Sequence, residues 1–232
     1  MEIVQNTPER LVVRMPANET LANALRRSIT EIPVLAIDEV EIHKNDSALY
    51  DEMLAHRIGL VPLKNEGAIS EKTEGTLKFS KKGPCTVYAG DLEGDVEPVH
   101  PKTPLVLLEK DQEMEFVAMA RVGRGIEHEK YTPGLGFYRH LSLVSSKNTH
   151  VQKLAENAQG LIKSEKVKDG WICDVNESVA EEINRLDSDA LHEAEEILFI
   201  IESFGQMAAK DIMLKAVRAL GENVEAFEKS LS

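Results

Sequence analysis

Cysteine is nearly absent: Cys85 and Cys173 are the only two in 232 residues. They lie far apart and neither belongs to a C-x-x-C pair. That excludes a disulfide framework and a zinc or iron–sulfur centre built on clustered thiols, and it suits a reducing compartment, the cytoplasm. No run of about 18 apolar residues occurs, which excludes a helical membrane span. The start, MEIVQNTPER, has neither the basic residues nor the apolar stretch of a signal peptide. Basic residues are short relative to acidic ones, 27 against 40, for a net charge of −13. A wide phosphate-gripping surface needs clustered Lys and Arg, so extensive nucleic-acid binding is not expected. The charge suits solubility, or one exposed face of a larger assembly.

What is present reads as an α+β chain, long enough for one large or two small domains. RLVVRMP (10–16) is a β-branched apolar run and reads as a strand ended by Pro16. Asn18 and Thr20 are candidate N-caps for a helix from Leu21 to Glu31. Leu21, Ala24, Leu25, Ser28, Ile29 and Ile32 fall on its apolar side; Asn23, Arg26, Arg27 and Thr30 fall on the other. Pro33 ends it. AIDEVEIH (36–43) alternates as a half-covered strand. KNEGAISEKTEG (64–75) is a loop. TLKFS, TVYAG, PLVLLE, MEFVAMARV and FYRHLSLVSS (137–146) are short strand candidates of a mostly antiparallel β-domain.

From Thr149 to Glu195 the pattern is helical and polar, with DGWICDV between two helical stretches. ILFIIES (197–203) is a buried strand. The longest helix then runs from Gln206 to Leu231. Ile212, Met213, Ala216, Val217, Ala219, Leu220, Val224, Phe227 and Leu231 share its broad apolar face, and Gly221 inside it costs about 1 kcal/mol relative to alanine. Such a stripe must be buried, either on the chain's own sheet or on another subunit.

Catalytic signals are poor. The seven histidines, among them His128 and His140, form no H-E-x-x-H frame, and there is no P-loop or G-x-S-x-G elbow. Gly123-Arg124-Gly125 and Gly134-Leu135-Gly136 read as turns. The carboxylates Glu193, Glu195 and Glu196 read as solvated helix faces. DEMLAHRIGLVPL (51–63) offers the one cluster that suggests an enzyme. On a helix from Asp51 to Ile58, Glu52 and His56 are four apart, beside Arg57. Met53, Leu54, Ile58 and Leu60 form its apolar side, and Gly59 its C-cap. No nucleophile, metal set or oxyanion donor accompanies it, so the pair is expected to be structural.

Four stretches, in order, carry a resemblance. LANALRRSITEIPVLAIDEVEI (21–42) resembles the first dimerisation helix and following strand of the alpha-like subunits of DNA-directed RNA polymerase. These comprise the bacterial alpha N-terminal domain, its archaeal counterparts and the third subunit of eukaryotic polymerase II. DEMLAHRIGLVPL resembles the motif that leads into the inserted domain of the archaeal and eukaryotic members. GRGIEHEKYTPG (123–134) is similar to a third family segment, and FIIESFGQMAAKDIMLKAVRAL (199–220) to the closing strand and long helix. The chain is identified as a member of this family, in its archaeal form.

The resemblance implies a discontinuous dimerisation domain from residues 1–44 and 196–232, an inserted β-rich domain from 45–146, and a small degenerate ferredoxin-like subdomain from 147–195. It implies a non-catalytic assembly subunit of a nucleotidyltransferase complex. That subunit pairs with the small subunit L as a platform for the large catalytic subunits, alongside other small subunits. It places Leu21, Leu25, Arg26, Arg27, Ile29, Ile212, Ala216, Leu220, Val224, Phe227 and Leu231 at partner interfaces. Arg26 and Arg27 match the family's N-A-L-R-R arginine pair, which faces the large subunits.

Three departures bear on function. Bacterial alpha continues past the long helix into a DNA-binding domain; this sequence ends at Ser232, so promoter reading is not expected. Eukaryotic relatives bind zinc through clustered cysteines in the inserted domain, where only Cys85 stands. Many archaeal forms hold iron–sulfur clusters where this chain has only Cys173, so no cofactor is expected and the subdomain should be held by packing around Trp171 and Ile172. The other readings are a free-standing homodimeric binding protein and a small soluble enzyme using Glu52, His56 and Arg57.

Overall fold

The computed structural model describes residues 1–65, 69–70 and 72–231. Part of the loop expected over 64–75 lies outside these residues. Along the chain run β1 (Glu2–Asn6), β2 (Arg10–Pro16), α1 (Glu19–Ser28), β3 (Val34–Asn45) and α2 (Asp51–Gly59). Then come β4 (Glu74–Lys82), β5 (Cys85–Tyr88), β6 (Glu93–Gly94), β7 (Pro104–Leu108), β8 (Glu113–Gly123) and β9 (Gly134–Val144). The last third holds α3 (Thr149–Glu156), β10 (Glu165–Val167), β11 (Gly170–Cys173), α4 (Glu177–Leu186), β12 (Leu191–Ser203) and α5 (Ala209–Ser230). The class is α+β, with antiparallel pairing between the strands.

Strands from both ends of the chain share a six-stranded sheet, ordered β1-β2-β12-β9-β11-β10. The apolar run of β12 sits between β2 and β9, pairing Phe199 with Val13 and with Tyr138. On one face of this sheet α1 and α5 close a core of Leu11, Val13, Ile29, Phe199, Ile201 and Ile212. Val12, Leu198 and Ile200 point to the other face, where Leu161 and Ile162 help to cover them. A four-stranded sheet, β3-β8-β4-β6, and the pair β5-β7 enclose a separate core with α2. There Leu54 and Ile58 are fully buried, and Phe79 stacks on Phe116 at 5.1 Å between ring centroids.

Several local readings change. β1 was not expected; it forms because EIVQN lies antiparallel against β2. FYRHLSLVSS becomes part of β9, in the six-stranded sheet rather than beside β4 and β8. Gly134 and Gly136 are not turn residues but open β9, where Ile29, just past the end of α1, comes so close that a Cβ on Gly136 would lie 2.4 Å from its side chain. The helical pattern expected to reach Glu195 stops at Leu186, and HEAEE is already strand. Pairing with β9 and β2 overrides the helix propensity of Ala and Glu. Glu196 thus lies on a strand, where its carboxylate accepts from Arg14.

Residues 147–195 fold as two helices around the β10-β11 hairpin, which extends the large sheet past β9. Their core is Val144, Val151, Ala155, Cys173, Ile183 and Ala190. Trp171 packs at its edge, with the Lys166 ammonium 5.8 Å from the ring centroid.

Candidate interaction surface

Asn18 starts α1, its side chain accepting from the Leu21 amide at 3.0 Å; Thr20 is already helical. The α-helix ends at Ser28, three residues early, and tightens into a 3-10 turn over Ile29–Glu31. Ser28 and Thr30 cause this locally, their hydroxyls donating back to the carbonyls of Ala24 and Arg27 at 2.8 Å each. The buried row is Ala22, Leu25, Ile29 and Ile32. Leu21, expected on that row, is 38% exposed, because α1 is rotated to seat Ala22 on the sheet.

Arg26 and Arg27 are both exposed. Among the described residues the Arg26 guanidinium bonds only the Asn23 side chain, at 3.4 Å. Asn23 in turn donates to the Tyr138 hydroxyl at 3.1 Å, so the helix's polar side is tied to β9 while its two cations face outward.

α5 changes character along its length. Ala209, Ile212 and Ala216 are fully buried, Met213 nearly so, and Leu220 packs partly on the same core. The outer side of the helix and its C-terminal half are exposed. Val217, Val224, Phe227 and Leu231 are 49%, 60%, 66% and 73% exposed. With Leu220 they recur at alternating spacings of three and four, the seam spacing of a helix that meets another helix. A Cβ on Gly221 would meet nothing within 4 Å, so that glycine faces open space. The expected interface set therefore divides. Leu25, Ile29, Ile212 and Ala216 are buried in the chain's own core, and Leu220 is partly buried against it. Arg26, Arg27, Val224, Phe227 and Leu231 are available, as is Leu21 in part.

The Glu52–His56–Arg57 cluster does not assemble. Among the described residues, Glu52 and His56 form neither a hydrogen bond nor an ion pair with each other. Arg57 instead donates to the carbonyls of Leu105 and Pro104 at 2.8 and 2.9 Å. α2 is capped at Leu60 rather than Gly59, and Met53 and Leu60 are exposed, leaving Leu54 and Ile58 as its buried row.

A network that no sequence pattern indicated centres on Asp38 of β3. Its carboxylate accepts from Arg121 at 2.6 Å, Lys130 at 2.7 Å and the Tyr131 hydroxyl at 2.8 Å. Both cations also lie over the Tyr131 ring, 5.2 and 5.1 Å from its centroid. Burial opposes ionisation of Asp38, but the three hydrogen bonds outweigh it and hold the carboxyl well below the usual carboxylate range. Burial and the bond to Asp38 together push the Tyr131 hydroxyl above its ordinary value. The network fixes GRGIEHEKYTPG against the four-stranded sheet. Gly123 is required there, since a Cβ would stand 2.7 Å from the Tyr131 ring.

Cys85 and Cys173 are both free thiols, in different sheets. Cys173 is completely buried, and burial, with the Asp174 charge second, pushes its thiol up to about 11. Asp174 itself is buried, and its carboxylate accepts from Arg139 at 2.6 Å and the Leu161 amide at 2.7 Å. Among the described residues no group of three or more His, Cys, Asp and Glu is placed to hold a metal ion. No helix among them is long and apolar enough to cross a membrane.

Comparison with known proteins gives a consistent picture. Residues 40–134 match the family described as the RNA polymerase Rpb3/RpoA insert domain. A protein of Pyrococcus horikoshii, named DNA-directed RNA polymerase subunit Rpo3, is 34% identical over 229 residues, 90% of this chain and 88% of the relative. The protein of that name from Pyrobaculum neutrophilum is 32% identical over 255 residues, 100% of this chain and 95% of the relative. The one from Thermococcus kodakarensis is 42% identical over 143 residues, 57% of this chain and 53% of the relative.

Proposed function

The chain belongs to the Rpo3 family of DNA-directed RNA polymerase subunits, alpha-like and archaeal, and from that premise we propose that it is a non-catalytic assembly subunit of the transcribing enzyme. On this reading the chain ends, 1–44 and 196–232, contribute the dimerisation domain, 45–146 the inserted domain and 147–195 a small ferredoxin-like subdomain, except that β3 lies in the sheet of the inserted domain and β9 in the sheet of the chain ends. The carrying observation is the exposed seam of Val224, Phe227 and Leu231 on the free half of α5. Leaving that row in water forfeits about 1.5–3 kcal/mol of transfer free energy for each large side chain that a partner would bury. The partner is the small alpha-like subunit L, presenting a similar helix. Arg26 and Arg27 then engage carboxylates or carbonyls of the large catalytic subunits, a task suited to the planar, many-donor guanidinium.

The resemblance to cluster-bearing relatives is not carried over. Residues 147–195 hold one thiol, Cys173, buried and raised in pKa. A cluster takes three or four thiolates, so this donor set does not fit one. The 147–195 region is held by apolar packing and by the Asp174 anchor instead.

The test is a size measurement with and without subunit L. A 1:1 heterodimer, free of iron after anaerobic purification, is the expected result. A chain that stays monomeric beside subunit L sinks the assembly reading, and one that forms a stable homodimer and ignores subunit L replaces it with the free-standing binding protein.

A further inference from the structure

The second face of the large sheet has a cover of its own. Val12, Leu198 and Ile200 form that face with Leu141, and Leu161 and Ile162 pack against it. Leu161 and Ile162 belong to a strap, residues 158–164, that runs from the end of α3 to the start of β10. Among the described residues, no backbone-to-backbone hydrogen bond joins 159–164 to the rest of the chain. β2, β9 and β12 beneath it are each laddered to a neighbour on both sides. A segment without a ladder, held through side chains and a few apolar contacts, lies at the low-stability end of a fold.

Side-chain bonds fix the strap at two levels. At its neck the Ser164 hydroxyl donates to the Ala155 carbonyl at 2.5 Å, which keeps the two ends of the strap together. That is the form of an Ω-loop, compact and closed at its base. Next to the neck, Arg14 of β2 donates to Glu165 at 2.8 Å. At the middle of the strap the Leu161 amide donates to the Asp174 carboxylate at 2.7 Å, and the same oxygen accepts from Arg139 of β9 at 2.6 Å. Arg14 and Arg139 are the register partners of Leu198 on its two sides, so both cations stand on the covered face. Asp174 is 3% exposed. Gly160 rests directly on it: a Cβ there would stand 2.2 Å from the Asp174 carbonyl oxygen and 2.4 Å from its Cβ.

We infer that residues 158–164 are a latched cover that opens as one unit about its neck, with Asp174 as the latch, while the sheet beneath stays paired. Opening releases the Leu161 amide from Asp174 and carries Leu161 and Ile162 into water. It bares Val12, Leu198 and Ile200 and breaks no strand ladder. Arg139 acts through Asp174, holding the carboxylate where the Leu161 amide meets it.

Hydrogen exchange of the full chain, read at single amides, tests the latch. In the unmodified chain the Leu161 amide should exchange at least about tenfold faster than the amides of Leu198 and Ile200 on β12. Asp174→Ala removes the acceptor, and Gly160→Ala keeps the strap from seating. Each should speed exchange at Leu161 by a further factor of about ten and leave Leu198 and Ile200 unchanged. Tryptic cleavage after the exposed Lys163 should accelerate in step. Gly160 is exposed, so its variant decides if Asp174→Ala fails to fold. Protection of Leu161 equal to that of Leu198 in the unmodified chain overturns the inference without any variant. Exchange at Leu198 and Ile200 that rises together with Leu161 overturns the independent opening. An unchanged Leu161 amide and an unchanged cleavage rate in Gly160→Ala overturn the latch.

Discussion

Asp38 shows how much a single residue can do that its neighbours in sequence do not announce. Its partners Arg121, Lys130 and Tyr131 are 83, 92 and 93 positions away. In the sequence it is one acid in an alternating strand, and only the pairing of β3 with β8 brings the cations to it. Its carboxylate is partly buried, and the Lys130 side chain is only 14% exposed. Replacing Asp38 by asparagine leaves Lys130 without its counter-charge and Arg121 with Glu127 alone, at 3.3 Å. We expect Asp38→Asn to cost about 2 kcal/mol at neutral pH, read as a lowered midpoint in urea unfolding. The dependence on pH has a definite sign. The folded carboxyl titrates below the unfolded one, so its contribution is complete above the unfolded value and lost as the pH falls towards the folded one. The gap between wild type and variant should therefore narrow steadily as the pH falls from about 5 to about 2. A gap that stayed constant over that range would mean that the charge of Asp38 contributes nothing.

At the scale of elements, most of the fold could be read from period and punctuation. The cap at Asn18, the stop at Pro33, the alternation of β3 and the long stripe of α5 are local signals, and the structure contains each. What was not legible is where an element's partner ends. The apolar period of α5 is the same before and after Gly221, yet only its first turns rest on the sheet, so the sequence pattern could not separate Ile212 and Ala216 from Phe227 and Leu231. HEAEE failed for the opposite reason: its helix propensity is genuine, and long-range pairing with β9 overrides it. The division along α5 sharpens the choice of mutation. Leu220 also packs on the chain's own core, so an acid there damages the monomer. Phe227 is 66% exposed, and Phe227→Asp should leave the unfolding midpoint of the isolated chain nearly unchanged while abolishing heterodimer formation with subunit L. A variant that co-elutes with subunit L as wild type does would show that the free half of α5 is not the seam.

For the whole molecule, the balance of charge and apolar surface argues that the chain is built to be completed by others. It carries a net charge of −13, yet it leaves Arg26 and Arg27 outward and without ion pairs among the described residues, on a helix only 10 residues long. An excess of acid elsewhere on the surface keeps the unassembled chain soluble while a few local cations stay available for docking. Adjacent positions on a helix point about 100° apart, so the two side chains leave α1 in different directions. If both dock, two groups on one broad surface or one group on each of two neighbours would match them. Exposed charges contribute little to the isolated fold, whereas a guanidinium desolvated at an interface and matched to a carboxylate contributes much more to binding. Replacing both arginines by alanine should accordingly leave the stability of the chain and its pairing with subunit L unchanged, and weaken recruitment of the large subunits by about a hundredfold, most of it in a faster off-rate. The single variants apportion the loss: equal losses mean two bound groups, whereas one silent arginine means that the other alone docks and its neighbour is solvated. Undiminished recruitment by the double variant, measured in a pull-down of the heterodimer, would remove α1 from the surface that meets the catalytic subunits.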